Sequence, residues 1–292
     1  MRLLEALISA FMVAGLYATM SYGLALIYGV MKMINLANAG SMMLGSFLTF
    51  FLWQTFGLDP LVCVFIVAPL FFVVGALIET AFVRRVTNEK PVISLLLLFG
   101  ILLVMQAGAS FFLGGDVRSV RPIYIKEVIH LGEVTIAWNR LLVFVAGAII
   151  LVALELFMRR TYLGRAIRAL AQDRDACRLA GIDVHRVSMI AFGLGTALAG
   201  AAGALLTLVF PFDPTNPYGV LQLKSFTIIV LGGLESIPGV AIASFVLALA
   251  ENITVTVSKP QLENLVSFVL LVVVLVVMPG GLAAIIRRRG VA

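Results

Sequence analysis

Long apolar runs separated by short polar punctuation dominate the chain. They cover roughly residues 3–31, 36–57, 60–83, 92–113, 139–158 and 187–210. An interrupted apolar region at 222–257 and a closing run at 264–285 follow. A bilayer crossing takes about 20 mostly apolar residues. The pattern therefore predicts an all-α polytopic membrane protein with about eight to ten transmembrane helices. Turn residues mark the gaps: Gly57 with Asp59 and Pro60, then Asn88 to Pro91, then Gly114 with Gly115. Between Gly114 and Trp138 the residues alternate apolar and polar, which predicts a small β-hairpin. No linker or compositional shift divides the chain, so residues 1–292 read as one transmembrane domain. The first apolar run far exceeds the 7–15 residue core of a signal peptide and reads as a retained first helix.

Composition removes the soluble alternatives. Of the 292 residues 62% are apolar and only 12% are charged, with a mean hydropathy of +1.11. A soluble domain carries about 25% charged residues, and a disordered chain lacks apolar residues rather than having them in excess. The net charge of +6 is a topology signal. Seven of the 21 Lys and Arg residues fall between Arg159 and Arg186, three at Arg84, Arg85 and Lys90, and three at Arg287, Arg288 and Arg289. Short basic loops stay cytoplasmic. This places the N-terminus outside, 114–138 and 211–218 outside, and the C-terminus in the cytoplasm. An odd number of crossings must then follow 218, so 222–257 crosses an even number of times around a break in VLGGLESIPGV. No solvated basic face with stacking aromatics speaks for nucleic acid.

The sequence offers no catalytic constellation and no metal or cofactor motif. Cys63 and Cys177 fall in different environments, and His130 and His185 lie far apart in loops. No G-x-x-x-x-G-K-[ST] is present, so any ATP hydrolysis that drives transport belongs to another subunit.

Two interruptions mark candidate chemistry, near 35–45 and 231–239. The first, MINLANAGSMMLG, holds Asn35, Asn38 and Ser41, with the two asparagines spaced to share a helix face. The second holds Gly232, Gly233, Glu235 and Pro238. Broken helices free backbone groups to meet a solute, while small residues also let helices pack closely; both readings stand for these segments. An ionisable Glu235 is either a pathway group or a turn at the membrane edge. For Gly193, Gly195, Gly200 and Gly203, close packing is the better reading.

The basic stretch 159–186 reads as a cytoplasmic loop containing one amphipathic helix, Arg165–Ala180. Ala166, Ala169, Leu170, Ala176 and Leu179 make its apolar stripe, and Gly181 sits at its C-cap. Such a helix either lies on anionic lipid or docks in a groove of a cytoplasmic partner. Its mixed charge favours a protein surface.

Four blocks of the chain carry a family resemblance. YGLALIYGVMKMINLANAGSMMLGSF resembles the first signature of the permease subunits of branched-chain amino acid ABC importers, and TYLGRAIRALAQDRDACRLAGID resembles their cytoplasmic loop. FTIIVLGGLESIPGVAIASFVLALAEN and LVVVLVVMPGGLA are similar to their Gly-Gly signature and closing span. The blocks cover nearly the whole chain in the family's order and resemble its shorter permease branch. The resemblance implies an ATP-driven importer of the bacterial inner membrane, moving branched-chain amino acids or a related small polar or carboxylate solute. It implies a second homologous permease, two cytoplasmic ABC ATPase subunits and an extracytoplasmic solute-binding protein as partners. It makes 159–186 the coupling loop, with Arg165, Arg168, Asp173, Asp175, Leu179 and Gly181 facing the ATPase. Two departures stand out: Asn38, Ala39 and Gly40 replace a His-Gly-Glu triplet, and Glu235 replaces a glycine. The alternative is a self-contained secondary transporter or channel, which calls for ionisable residues at membrane depth. The spans show almost none by inspection.

Overall fold

The computed structural model describes residues 2–282 apart from 88, 123, 125–126, 132–133, 215–217, 234–235, 258–259 and 278–280. Glu235 and the terminal triplet Arg287, Arg288 and Arg289 therefore lie outside the described residues.

The helices follow the apolar runs closely. They are α1 (Arg2–Met31), α2 (Ala37–Phe56), α3 (Pro60–Ile78), α4 (Arg84–Val86), α5 (Pro91–Leu113) and α6 (Trp138–Arg160). Then come α7 (Tyr162–Gln172), α8 (Arg174–Leu179), α9 (Val184–Leu206), α10 (Tyr218–Gly232), α11 (Ile237–Val257) and α12 (Glu263–Val277). A π-turn, Glu79–Val83, joins α3 to α4. Among the described residues, six helical stretches are long and apolar enough to span a bilayer. Two apolar helices, α10 and α12, have 15 residues each, about 22 Å at 1.5 Å per residue and short of a full ~30 Å crossing. The predicted hairpin is present as β1 (Val128–Leu131) and β2 (Val134–Ala137), antiparallel.

Burial sorts the helices into centre and periphery. In α1 and α9, 89% and 78% of the apolar window is covered by protein, against 22% in α5 and α6. The small residues of α9 make this centre possible. A Cβ on Gly23 of α1 would lie 2.3 Å from the Gly195 carbonyl oxygen, and one on Gly203 would lie 2.0 Å from that of Met42 in α2. One on Gly75 of α3 would meet the Thr196 hydroxyl at 2.5 Å. Where lipid is as apolar as the side chains, such close approach is what holds helices together. The packing reading of the α9 glycines is thus the one the fold uses. Uncovered apolar residues, such as Phe65, Phe111 and Val276, face outward from α3, α5 and α12.

The two ends of the bundle differ. The end with β1 and β2 is strapped by Arg118 and Phe212, which exchange backbone hydrogen bonds of 2.8 and 2.9 Å. The Arg118 guanidinium lies 5.4 and 5.1 Å from the rings of Phe47 and Phe50, a cation–π contact that ties the loop after α5 to α2. The opposite, basic end carries Arg84, Arg85 and the segment 159–186.

Candidate coupling and translocation sites

At the basic end, α6 turns sharply into α7. The Thr161 hydroxyl accepts from the Gly164 amide at 3.0 Å, an N-cap. Gly164 has to be glycine, because a Cβ there would lie 2.4 Å from the Phe157 carbonyl oxygen. Gly164, Ala166, Ile167 and Leu170 are the buried face of α7. The single helix expected from Arg165 to Ala180 is instead two. Asp173 has φ −150°, and its carboxylate accepts from the Asp175 and Ala176 amides, both at 2.9 Å. An Asp side chain competes with the helix for backbone donors, and here it ends α7 and caps α8.

The break resets the helical phase, which corrects the expected stripe. Cys177 is the buried residue of α8, whereas Leu179 is 92% exposed and Ala176 is exposed as well. Arg165, Arg168, Asp173, Asp175, Leu179 and Gly181 all lie on the uncovered side of the segment. Gly181 adopts the left-handed φ of +79° expected of a C-cap glycine. Asp183 then caps α9, accepting from His185 and Arg186 amides at 3.1 Å. The Arg186 amide, more than any other group, holds the Asp183 carboxyl below its ordinary range. Beneath the segment, Glu79 in the π-turn is buried and acts electrostatically on Arg174 of α8. Arg174's pKa is lowered by burial and by Arg178, with Asp175 and Glu79 opposing.

At the first interruption the chain reverses after α1 through Lys32 (φ 53°). Asn35 sits in this connector and α2 begins only at Ala37, so the two asparagines do not share a helix face. They are brought together instead by Gln222 of α10. Its amide nitrogen donates to the Asn35 carbonyl oxygen at 3.0 Å, and Asn38 Nδ2 donates to Gln222 Oε1 at 3.4 Å. Ser41 lies one turn further on, buried, donating to the Ala37 carbonyl oxygen at 3.1 Å. The side-chain oxygens of Asn35 and Asn38 and the hydroxyl of Ser225 are buried without a partner among the described residues.

The second interruption is a tight helical hairpin at the basic end. Gly233 takes φ +96°, and Ser236 Oγ accepts from the Gly239 amide at 3.1 Å to cap α11. A Cβ on Gly239 would lie 2.0 Å from the Gly232 carbonyl oxygen, so these glycines let α10 and α11 cross in contact. Pro238 is the second residue of α11, where its missing N–H costs nothing. The region 222–257, expected to cross an even number of times, holds α11, long and apolar enough to span a bilayer, and most of the shorter α10. Ten residues of α10, about 15 Å, separate Gln222 from Gly232, so the two interruptions lie at different levels of the bundle.

A third cluster went unread in the sequence. Lys224 on α10 is 4% exposed and donates to Glu251 Oε2 of α11 at 3.1 Å, with Oε1 equally near, and to Glu263 of α12 at 2.6 Å. Tyr17 of α1 donates to Glu251 Oε2 at 2.6 Å, and Ser267 donates to Oε1. Glu251 is as buried as Lys224, while Glu263 is about one-third exposed. Four helices are thus joined by charge-assisted hydrogen bonds, and Glu251 has a partner for each oxygen. The contributing residues stand at 17, 224, 251, 263 and 267, with no local spacing to expose them.

Buried central helices, a broken exposed segment at the basic end and no hydrolytic motif together define a multi-pass membrane permease. The family model described as branched-chain amino acid transport system / permease component matches residues 6–275, and the chain belongs to that family. It is 31% identical over 283 residues to the high-affinity branched-chain amino acid transport system permease protein LivH of Escherichia coli, covering 91% of this chain and 90% of that one. It is 31% identical over 294 residues to the corresponding permease protein BraD of Pseudomonas aeruginosa, covering 96% and 95%. A shorter likeness, 32% over 120 residues (39% of this chain and 28% of that one), links it to the E. coli permease protein LivM. No solved structure matches the chain.

Proposed function

We propose that this chain is the transmembrane permease subunit of an ATP-driven ABC importer in a bacterial inner membrane. It moves branched-chain amino acids or a closely related small polar or carboxylate solute. The solute class follows the names of LivH and BraD, and the second permease follows from the naming of both LivH and LivM for one E. coli system. Two cytoplasmic ABC ATPases supply the energy, since this chain has no P-loop, and an extracytoplasmic binding protein delivers the solute. The basic end faces the cytoplasm with the C-terminus, and the N-terminus lies outside.

The observation that carries this reading is the α7–α8 segment. It is too short and charged to cross a bilayer, shows charged residues and Leu179 outward, and packs on α1, α6 and α9 beneath. A push on its exposed side, at Arg165, Arg168, Asp173, Asp175, Leu179 and Gly181, reaches the central helices directly. Asn35, Asn38 and Ser41, with Gln222 added, line the solute path. Gly232, Gly233, Glu235 and Pro238, at the second interruption of the sequence, belong to the same path. Purification from native membranes in mild detergent tests the assembly: a second permease and two P-loop subunits should accompany the chain. Recovery of the chain alone, with uptake driven by an ion gradient through Lys224 and Glu251, would establish the secondary transporter instead. Reversing charge at Arg168 and Asp175 together should abolish uptake while membrane levels hold, and normal uptake by that variant would remove the coupling assignment.

A further inference from the structure

A cavity of about 430 Å³ opens at the basic end, where α1, α6, α7 and the start of α11 meet. Its wall is apolar where it runs into the bundle, at Leu26, Val30, Ile167 and Ile237. Its mouth carries Glu155, Arg159 and Arg168. Glu155 is paired with Arg159 four residues on, while Arg168 has no ion-pair partner among the described residues. The local balance is therefore one unmatched positive charge over an apolar slot. Gly29 contributes to the wall, and a Cβ there would meet nothing within 4 Å, so the cavity extends over its bare backbone. The two flanking helices leave most of their apolar surface uncovered by the rest of the chain. Only 22% of the apolar window of α6 and 33% of that of α11 are buried. The cavity is thus bounded by two helices with exposed apolar surface, at the charged end of the bundle.

We propose that this cavity binds an anionic phospholipid, with the phosphate on Arg168 and Arg159 and an acyl chain along Leu26, Val30 and Ile167. Basic pockets between transmembrane helices on the cytoplasmic side select anionic headgroups in this way. Bidentate guanidinium–phosphate hydrogen bonds add to the charge attraction. A soluble partner peptide fits less well, because the slot lies between helices whose apolar windows are mostly uncovered. One wall is α7 itself, so a bound lipid stiffens the joint between the coupling segment and α1. The lipid then becomes a requirement for transmitting movement as well as a solvent.

The test uses the purified full chain, with whatever subunits accompany it, in mixed micelles of phosphatidylglycerol and phosphatidylcholine. Native mass spectrometry reads the retained lipid, so the result does not depend on transport. The wild type should retain phosphatidylglycerol at least several-fold over phosphatidylcholine. Gly29→Phe, which fills the slot without a backbone clash, should abolish that retention, and Arg159→Gln should lower it several-fold. Equal retention of the two lipids by the wild type would overturn the proposal. So would unchanged phosphatidylglycerol in Gly29→Phe, or in Arg159→Gln where Gly29→Phe does not fold.

Discussion

Helix α10 separates two buried polar clusters that obey opposite rules. On one side, Lys224 meets Glu251, Glu263 and Tyr17, and both Glu251 oxygens are occupied. On the other, Gln222 holds Asn35 and Asn38 together, yet the asparagine side-chain oxygens and the nearby Ser225 hydroxyl have no partner among the described residues. Burying a charge is tolerable only when it is paired and hydrogen-bonded, so the Lys224 cluster is a complete internal joint between α1, α10, α11 and α12. An unsatisfied buried oxygen costs about 1–3 kcal/mol, and a fold keeps several together where a passing polar group or water is to complete them. The satisfied cluster ties four helices together, and the unsatisfied one is the cluster that the proposed solute path uses.

The largest effect should come from breaking the satisfied side. Lys224→Met leaves the buried Glu251 without its cation, a loss of about 3–5 kcal/mol. It should appear as a strongly lowered melting temperature in detergent and poor membrane accumulation. Lys224→Met combined with Glu251→Gln removes both charges and should recover much of that loss. Additive losses would show that the pair is not coupled.

Asn38→Ala should behave in the reverse sense. It removes one long hydrogen bond and one unpartnered oxygen, so stability should change by about 1 kcal/mol while uptake falls at least tenfold. A melting loss as large as that of Lys224→Met, or uptake at the wild-type rate, would erase the distinction between the two faces of α10. The smallest stability effect belongs to Ser225→Ala. Deleting an oxygen that has no partner should leave melting unchanged or slightly raised, because the desolvation cost of the hydroxyl disappears. A clear destabilisation would mean that this hydroxyl already has a partner in the membrane.

The basic end adds a pH dependence of its own. Asp183 caps α9 and its carboxyl is held low, so its contribution is present at neutral pH. It is lost as pH falls from the ordinary carboxylate range through the lowered value. Asp183→Asn keeps a capping oxygen and should flatten the acid limb of the melting-temperature profile. An unchanged acid limb would show that Asp183 adds nothing there.

Local chemistry made much of this legible in advance. Apolar runs give the spans because no other backbone arrangement satisfies its hydrogen bonds in lipid at that length. Gly181 and the Gly232–Pro238 turn were readable because positive φ and a missing N–H are properties of single residues. The basic segment was readable from charge, but its expected apolar stripe was not, since Ala176 and Leu179 are exposed. Its break at Asp173 was not, because one side chain's capping bonds outweigh a continuous helical pattern over a few residues.

The sequence by itself determined the class of solvent, the all-α architecture, the positions of the turns and the basic end. Each depends on residues close together in the chain. Only the tertiary structure decided which helices lie at the centre, since α1 and α9 differ from their neighbours in small residues that must meet a matching surface. It also decided that Asn35 joins Asn38 through Gln222, that Leu179 faces outward, and that Lys224 meets Glu251. Those pairings span up to 187 positions, and no local period encodes a contact that exists only once the helices have packed.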